Sequence, residues 1–136
     1  MVYFVETHWN ELLKFSRRTE NSIRQWANRY GITGDTKTTY KSAKDKYSGR
    51  YVAVNLLNTN TIELRLFRGT LRYETFIATL QLVDEICNLA IRLTDAELEN
   101  LSWSDFVLGL KQKALIRFLR EKQLFVNKKI KEEEEL

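Results

Sequence analysis

The chain of 136 residues has no proline, one cysteine, one histidine and five glycines. Each scarcity removes a class of structure or chemistry. Without proline, the turns depend on Gly, Asn and Asp. With Cys87 alone there is no internal disulfide framework, which fits a reducing cytosol. A zinc site built from His8 and Cys87 would need carboxylates for its other ligands, unlike the ordinary Cys/His sites. A Ser/His/Asp or Cys/His centre would have to use His8 as its base, and no spacing supports one. His8, next to Trp9 in the first helical stretch, reads as a surface or interface residue. Neither the G-x-x-x-x-G-K-[ST] loop nor the G-x-G-x-x-G turn occurs, so both standard phosphate cradles are missing. No apolar run approaches the roughly 18 residues of a membrane span. The opening Met1 to Glu6 lacks the basic start of a signal peptide, so neither a leader nor a membrane partner is expected.

What is present is the composition of a soluble globular protein, 43% hydrophobic and 29% charged. Length implies one domain, 1–127, followed by a charged flexible tail, 128–136, in which a basic cluster precedes four glutamates. The net charge of +4 is unevenly placed: up to Arg72 there are 13 Lys/Arg against 6 Asp/Glu, and from Tyr73 on 9 against 12. A basic first half attracts polyanions, whether a nucleotide triphosphate or a nucleic acid.

Periodicity supplies the elements. Val2 to Lys14 reads as a first helix. Thr19 is an N-cap for a second, with Ile23, Trp26, Ala27 and Tyr30 as one apolar stripe and Gly31 as its end. Ile32 to Gly49 is polar and glycine-bearing and reads as a long loop, whose Tyr40 and Tyr47 stand among lysines and could stack on bases. Two β-rich runs, about 51–57 and 61–67, flank Asn58-Thr59-Asn60 and predict an antiparallel hairpin. Strand alternation puts Ile62, Leu64 and Leu66 on one face, and Thr61, Glu63, Arg65 and Phe67 on the other, with Arg68 at the strand's end before the bend at Gly69. The longest helix, about 74–93, is expected to cover the sheet with Phe76, Ile77, Leu80, Val83, Cys87, Ala90 and Ile91. Thr94 with Glu97, and Ser102 with Asp105, predict two short capped helices, and Lys113 to Leu124 a last one. The expected fold class is α+β: a small antiparallel sheet packed on the 74–93 helix, with further helices at both ends.

The residues that stand out chemically are Glu63, Arg65 and Arg68, with Arg17, Arg18, Lys46, Tyr47, Arg50 and Thr70 as companions. Charges on a strand are costly to bury unless paired, so the first group is either an ion-pair lattice or a polar site.

Three segments carry a family resemblance: Phe15 to Arg18, Arg50 to Asn55, and Thr61 to Leu71 with its Glu-x-Arg-x-x-Arg-Gly-Thr-Leu run. In that order they resemble the C-terminal half of the amidoligase-like family of phages and mobile elements, carboxylate-amine ligases with a glutamine-synthetase-like sheet. The likeness covers about Trp9 to Leu124, and the family's earlier, carboxylate-bearing half is not expected here. The resemblance implies a phage or plasmid protein in a bacterial host cytosol. It further implies Glu63 as a Mg²⁺ ligand and the arginines as holders of ATP phosphates and of an acyl phosphate. Glu63 is the one carboxylate in the matching motif, so a ligase would need completion by a second chain, a homodimer included. The preferred expectation is therefore a basic binding module acting on nucleic acid or a nucleoprotein, such as a CRISPR nuclease or its guide RNA as a host-defence inhibitor. An ATP-dependent carboxylate-amine ligase and an RNase using Arg and Glu as acid and base are the alternatives. Glu63, Arg65 and Arg68 would be catalytic in either. Arg17, Arg18, Lys46, Arg50, Tyr47 and Thr70 would bind nucleotide or nucleic acid.

Overall fold

The apolar run after Arg72 forms a 20-residue helix, labelled α5 (Tyr73–Arg92) in the chain order below. The structure, a computed structural model, describes residues 1–30, 35–44 and 51–126. Ahead of α5 come α1 (Val2–Thr7), α2 (Trp9–Ser16), α3 (Glu20–Trp26), α4 (Thr36–Lys44), β1 (Val54–Asn55) and β2 (Glu63–Leu64). After it come α6 (Asp95–Glu99), α7 (Trp103–Leu108) and α8 (Lys113–Glu121). The α+β class holds, with helix predominating and, among the described residues, one two-stranded antiparallel sheet in the register Val54↔Leu64 and Asn55↔Glu63.

The face that α5 buries differs from the expected one. Thr75, Ala78, Leu82, Ile86 and Leu89 are buried, whereas Phe76, Leu80 and Ile91 are exposed and Ile77, Val83, Cys87 and Ala90 lie between. α5 packs most extensively on α8, whose Leu115, Phe118 and Leu119 are buried. The two helices also share polar ties. Gln81 Oε1 accepts from the Leu115 N–H at 2.9 Å, satisfying a first-turn donor of α8, and Gln112 Nε2 donates to Glu85 at 2.9 Å. The buried apolar residues form one cluster running from Val2 to Leu124.

The first helix is broken in two at His8, which is 6% exposed and packs between Phe4 and Trp103 at ring distances of 4.7 and 5.7 Å. The surface placement expected for it is therefore corrected. Burial holds the imidazole below its usual range, against the opposing pull of Glu11 and a hydrogen bond to the Leu101 backbone. A base whose folded pKa is lowered stabilises the fold above the unfolded value of about 6.5, and that stability declines as pH falls below it. Thermal melts taken between about pH 7.5 and 5.5 are expected to show this decline. His8→Phe should remove the part that begins near neutrality, and an unchanged slope in that variant would contradict the assignment.

Three other local expectations change. Residues 35–44 were expected to be loop, yet Thr36–Lys44 is helical because Asp35 caps it: Asp35 Oδ1 accepts from the Thr38 N–H at 2.9 Å, and Thr39 and Ala43 are buried. The strands pair over two residues each rather than seven. Part of the first run pairs instead with the backbone after α3, Asn28 N donating to Tyr51 O (3.1 Å) and Ala53 N to Asn28 O (2.8 Å). α3 is capped by Thr19 as expected but ends at Trp26. Tyr30 lies beyond it and donates its hydroxyl to Val54 O at 2.8 Å. This segment is anchored by buried Glu6, which accepts from Arg29 Nε (3.1 Å) and the Tyr30 N–H (2.7 Å). Burial, with the Glu6 charge adding to it, pushes the Tyr30 phenol up to about 12. The expected terminator Gly31 and the 128–136 tail lie outside the described residues.

Candidate functional site

The end of β2 and the turn into α5 gather most of the residues that the sequence singles out. Leu66 is fully buried and Phe67 meets the Phe15 ring edge-on at 5.8 Å, so this stretch is clamped to the core. Glu63 and Arg65, two residues apart on the strand, are neighbours as strand geometry requires: Arg65 Nη1 donates to Glu63 Oε1 at 2.9 Å. Arg65 Nε donates to Trp26 O at 3.1 Å, and its guanidinium lies over the Tyr51 ring at 5.1 Å. Glu63 is thus engaged by a cation, and no group of three or more His, Cys, Asp or Glu among the described residues is placed to hold a metal.

Arg17 and Arg18 approach the same strand end from α2. Arg17 takes the left-handed backbone conformation (φ 61°) that closes α2. A non-glycine residue there carries a backbone cost of order 1 kcal/mol, and it persists because the side chain is anchored. Arg17 Nη2 donates to the Arg68 carbonyl, while its Nε is buried with no partner among the described residues. Arg18 is a staple: Nε donates to Leu66 O (2.9 Å), Nη2 to Arg65 O (3.3 Å) and Nη1 to Ser22 Oγ (2.9 Å). The Arg68 N–H reaches back to Ser16 O at 3.2 Å.

These bonds fix guanidiniums without neutralising them, because a backbone carbonyl accepts a hydrogen bond but brings no net charge. Arg17, Arg18, Arg68 and Arg72 have no ion pair among the described residues, and Arg68 and Arg72 are exposed. The consequence is visible in the two tethered side chains. Arg17 is held below the usual arginine range first by burial and then by the Arg68 and Arg72 charges, and Arg18 by burial and then by Arg65 and Arg68. They remain cations at neutral pH, crowded by like charge. Such a cluster is relieved by an anion, and arginine forks match phosphate oxygens.

The remaining expected residues divide. Thr70 serves the turn, its Oγ1 accepting from the Arg72 N–H at 3.1 Å. Gly69 shows no left-handed backbone and no atom within 4 Å of where a Cβ would stand, so the bend there does not depend on glycine and the loop is open to solvent. Lys46, Tyr47 and Arg50 lie outside the described residues. Tyr40 lines a separate cleft of about 510 Å³ beside the hairpin turn and α5.

Three members go unmarked in the sequence reading: Arg72, Trp26 and Tyr51. Arg72 was legible as a second arginine flanking Gly69 at a helix start. Trp26, placed in the buried stripe by its spacing, is 43% exposed and lies edge-to-face with Tyr51 (49% exposed) at 5.6 Å. No local signal distinguishes an aromatic on a core stripe from one just beyond its edge. Among the described residues no helix is long and apolar enough to cross a membrane. Comparison of the chain with protein-family models, with curated proteins and with solved structures found no match.

Proposed function

We propose that the chain is a nucleic-acid-binding module whose phosphate contacts are made by Arg17, Arg68 and Arg72, with Arg18 fixing the frame that presents them. The observation that carries this reading is the set of four arginines without ion pairs among the described residues, two of them tethered to carbonyls and crowded by like charge. A cluster serving only to staple the fold would not leave Arg68 and Arg72 exposed beside Arg17. A guide RNA, alone or within a host-defence nucleoprotein, would present the same phosphates to this face. The ligase reading draws no comparable support, since the one carboxylate of its motif is taken up by Arg65.

Fluorescence anisotropy with a labelled oligonucleotide tests the proposal. Binding is expected at low salt, weakening with a log K against log [salt] slope of about −2 to −3, the range for three phosphate contacts on a single strand or a duplex. Absence of binding at low ionic strength, or binding indifferent to salt, would contradict it.

A further inference from the structure

Beside the arginine cluster lies an exposed aromatic pair that phosphate binding alone leaves without a use. Trp26 and Tyr51 meet edge-to-face, and both are joined to Arg65, which hydrogen-bonds to the Trp26 carbonyl and lies over the Tyr51 ring. The Arg65 carbonyl in turn accepts from Arg18, whose Nε reaches Leu66 O, and Arg17 reaches the Arg68 carbonyl two residues on. Aromatic pair and cationic cluster are therefore one continuous band along the strand end. Next to Tyr51 opens a cleft of about 280 Å³ with Arg24 and Arg29 on its lining.

From this band we infer that the ligand is single-stranded nucleic acid, with a base stacked on Trp26 and the flanking phosphates on Arg17, Arg68 and Arg72; the inference rests on the phosphate-binding reading above. In a duplex the base faces are covered by their neighbours, and a protein meets phosphates and groove edges only. A surface that sets an exposed indole beside fixed guanidiniums suits a strand whose bases can turn out, because every base has a π-face and stacking tolerates any sequence. Trp26 also departs from its two counterparts. Trp9 and Trp103 are each 7% exposed and belong to the core.

That difference makes the test direct. Of the three tryptophans, Trp26 alone is open to a base, so stacking should quench its fluorescence and leave that of the other two. The probes are oligo(dT) and a duplex of matched length, titrated into the full chain at low salt. The expected result is quenching by oligo(dT) and little by duplex. Trp26→Leu, its fold checked by circular dichroism, should lose about five- to a hundredfold in affinity for oligo(dT) and keep its affinity for duplex. Trp26→Phe, which keeps a ring, should retain most of the affinity. Equal binding of both probes, with Trp26→Leu unaffected, would overturn the single-strand inference and leave phosphate binding standing. Failure of both probes to bind wild-type protein would overturn the two together.

Discussion

Replacing Arg68 and Arg72 together with alanine should weaken nucleic-acid binding by about tenfold or more at low salt, and reduce the slope of log K against log [salt] by roughly 1.4. Each contact to the phosphates of a single strand contributes about 0.7 to the slope, so removing two contacts removes about 1.4. Both side chains are exposed and neither has an ion pair among the described residues, so the fold loses little by their removal. The melting temperature should accordingly stay close to wild type. Arg18→Ala is the informative contrast. It removes a guanidinium that donates to Leu66 O, Arg65 O and Ser22 Oγ, so binding and stability should fall together. A double variant that binds with wild-type affinity and slope would place the phosphates elsewhere on the molecule.

The largest stability effect is expected from Leu82→Ala, which should cost about 2–5 kcal/mol and lower Tm by roughly 6–20 °C. Leu82 is fully buried on the face of α5 that packs on α8, and truncation leaves a void that neighbouring helices fill only in part. The control is two residues away. Leu80 is 50% exposed, so Leu80→Ala should cost under about 1 kcal/mol. Chemical denaturation of the two variants decides which face of α5 is inside. The reverse order of effects would restore the stripe through Phe76, Leu80 and Cys87 as the buried one.

That pair of leucines shows how far the sequence could be read. A helical period over Tyr73–Arg92 is plain, but apolar residues occupy two adjoining stripes, and periodicity alone cannot say which one meets a partner. The choice falls to tertiary packing against α8, whose position no local pattern reveals. The hairpin followed from its two β-rich runs, and the Glu63–Arg65 pairing from alternation. The strand length did not, because the Asn28 backbone takes up part of the first run, and nothing near residue 52 in sequence announces it. The helix over Thr36–Lys44 was within reach, since Asp35 is a favoured N-cap residue, but the polar segment after it has no apolar stripe to mark a helix. Of the site, Arg17, Arg18, Arg65 and Arg68 were legible as a motif. Their division into staples and free cations was not, because it depends on which carbonyls come within reach once α2 and β2 meet.

The basic face of α8, with Lys113, Arg117 and Arg120 exposed, is the rival surface for any polyanion. Its charges follow the helix pitch on a solvated face, whereas at the strand end Arg17 and Arg18 are tethered and crowded by like charge. Following the arginine Nε–Hε resonances by NMR during titration with oligo(dT) separates the two most directly. The account predicts early and saturable shifts at Arg17, Arg68 and Arg72, with Arg117 and Arg120 moving late or not at all. Shifts confined to Arg117 and Arg120, or spread evenly over every arginine, would contradict it.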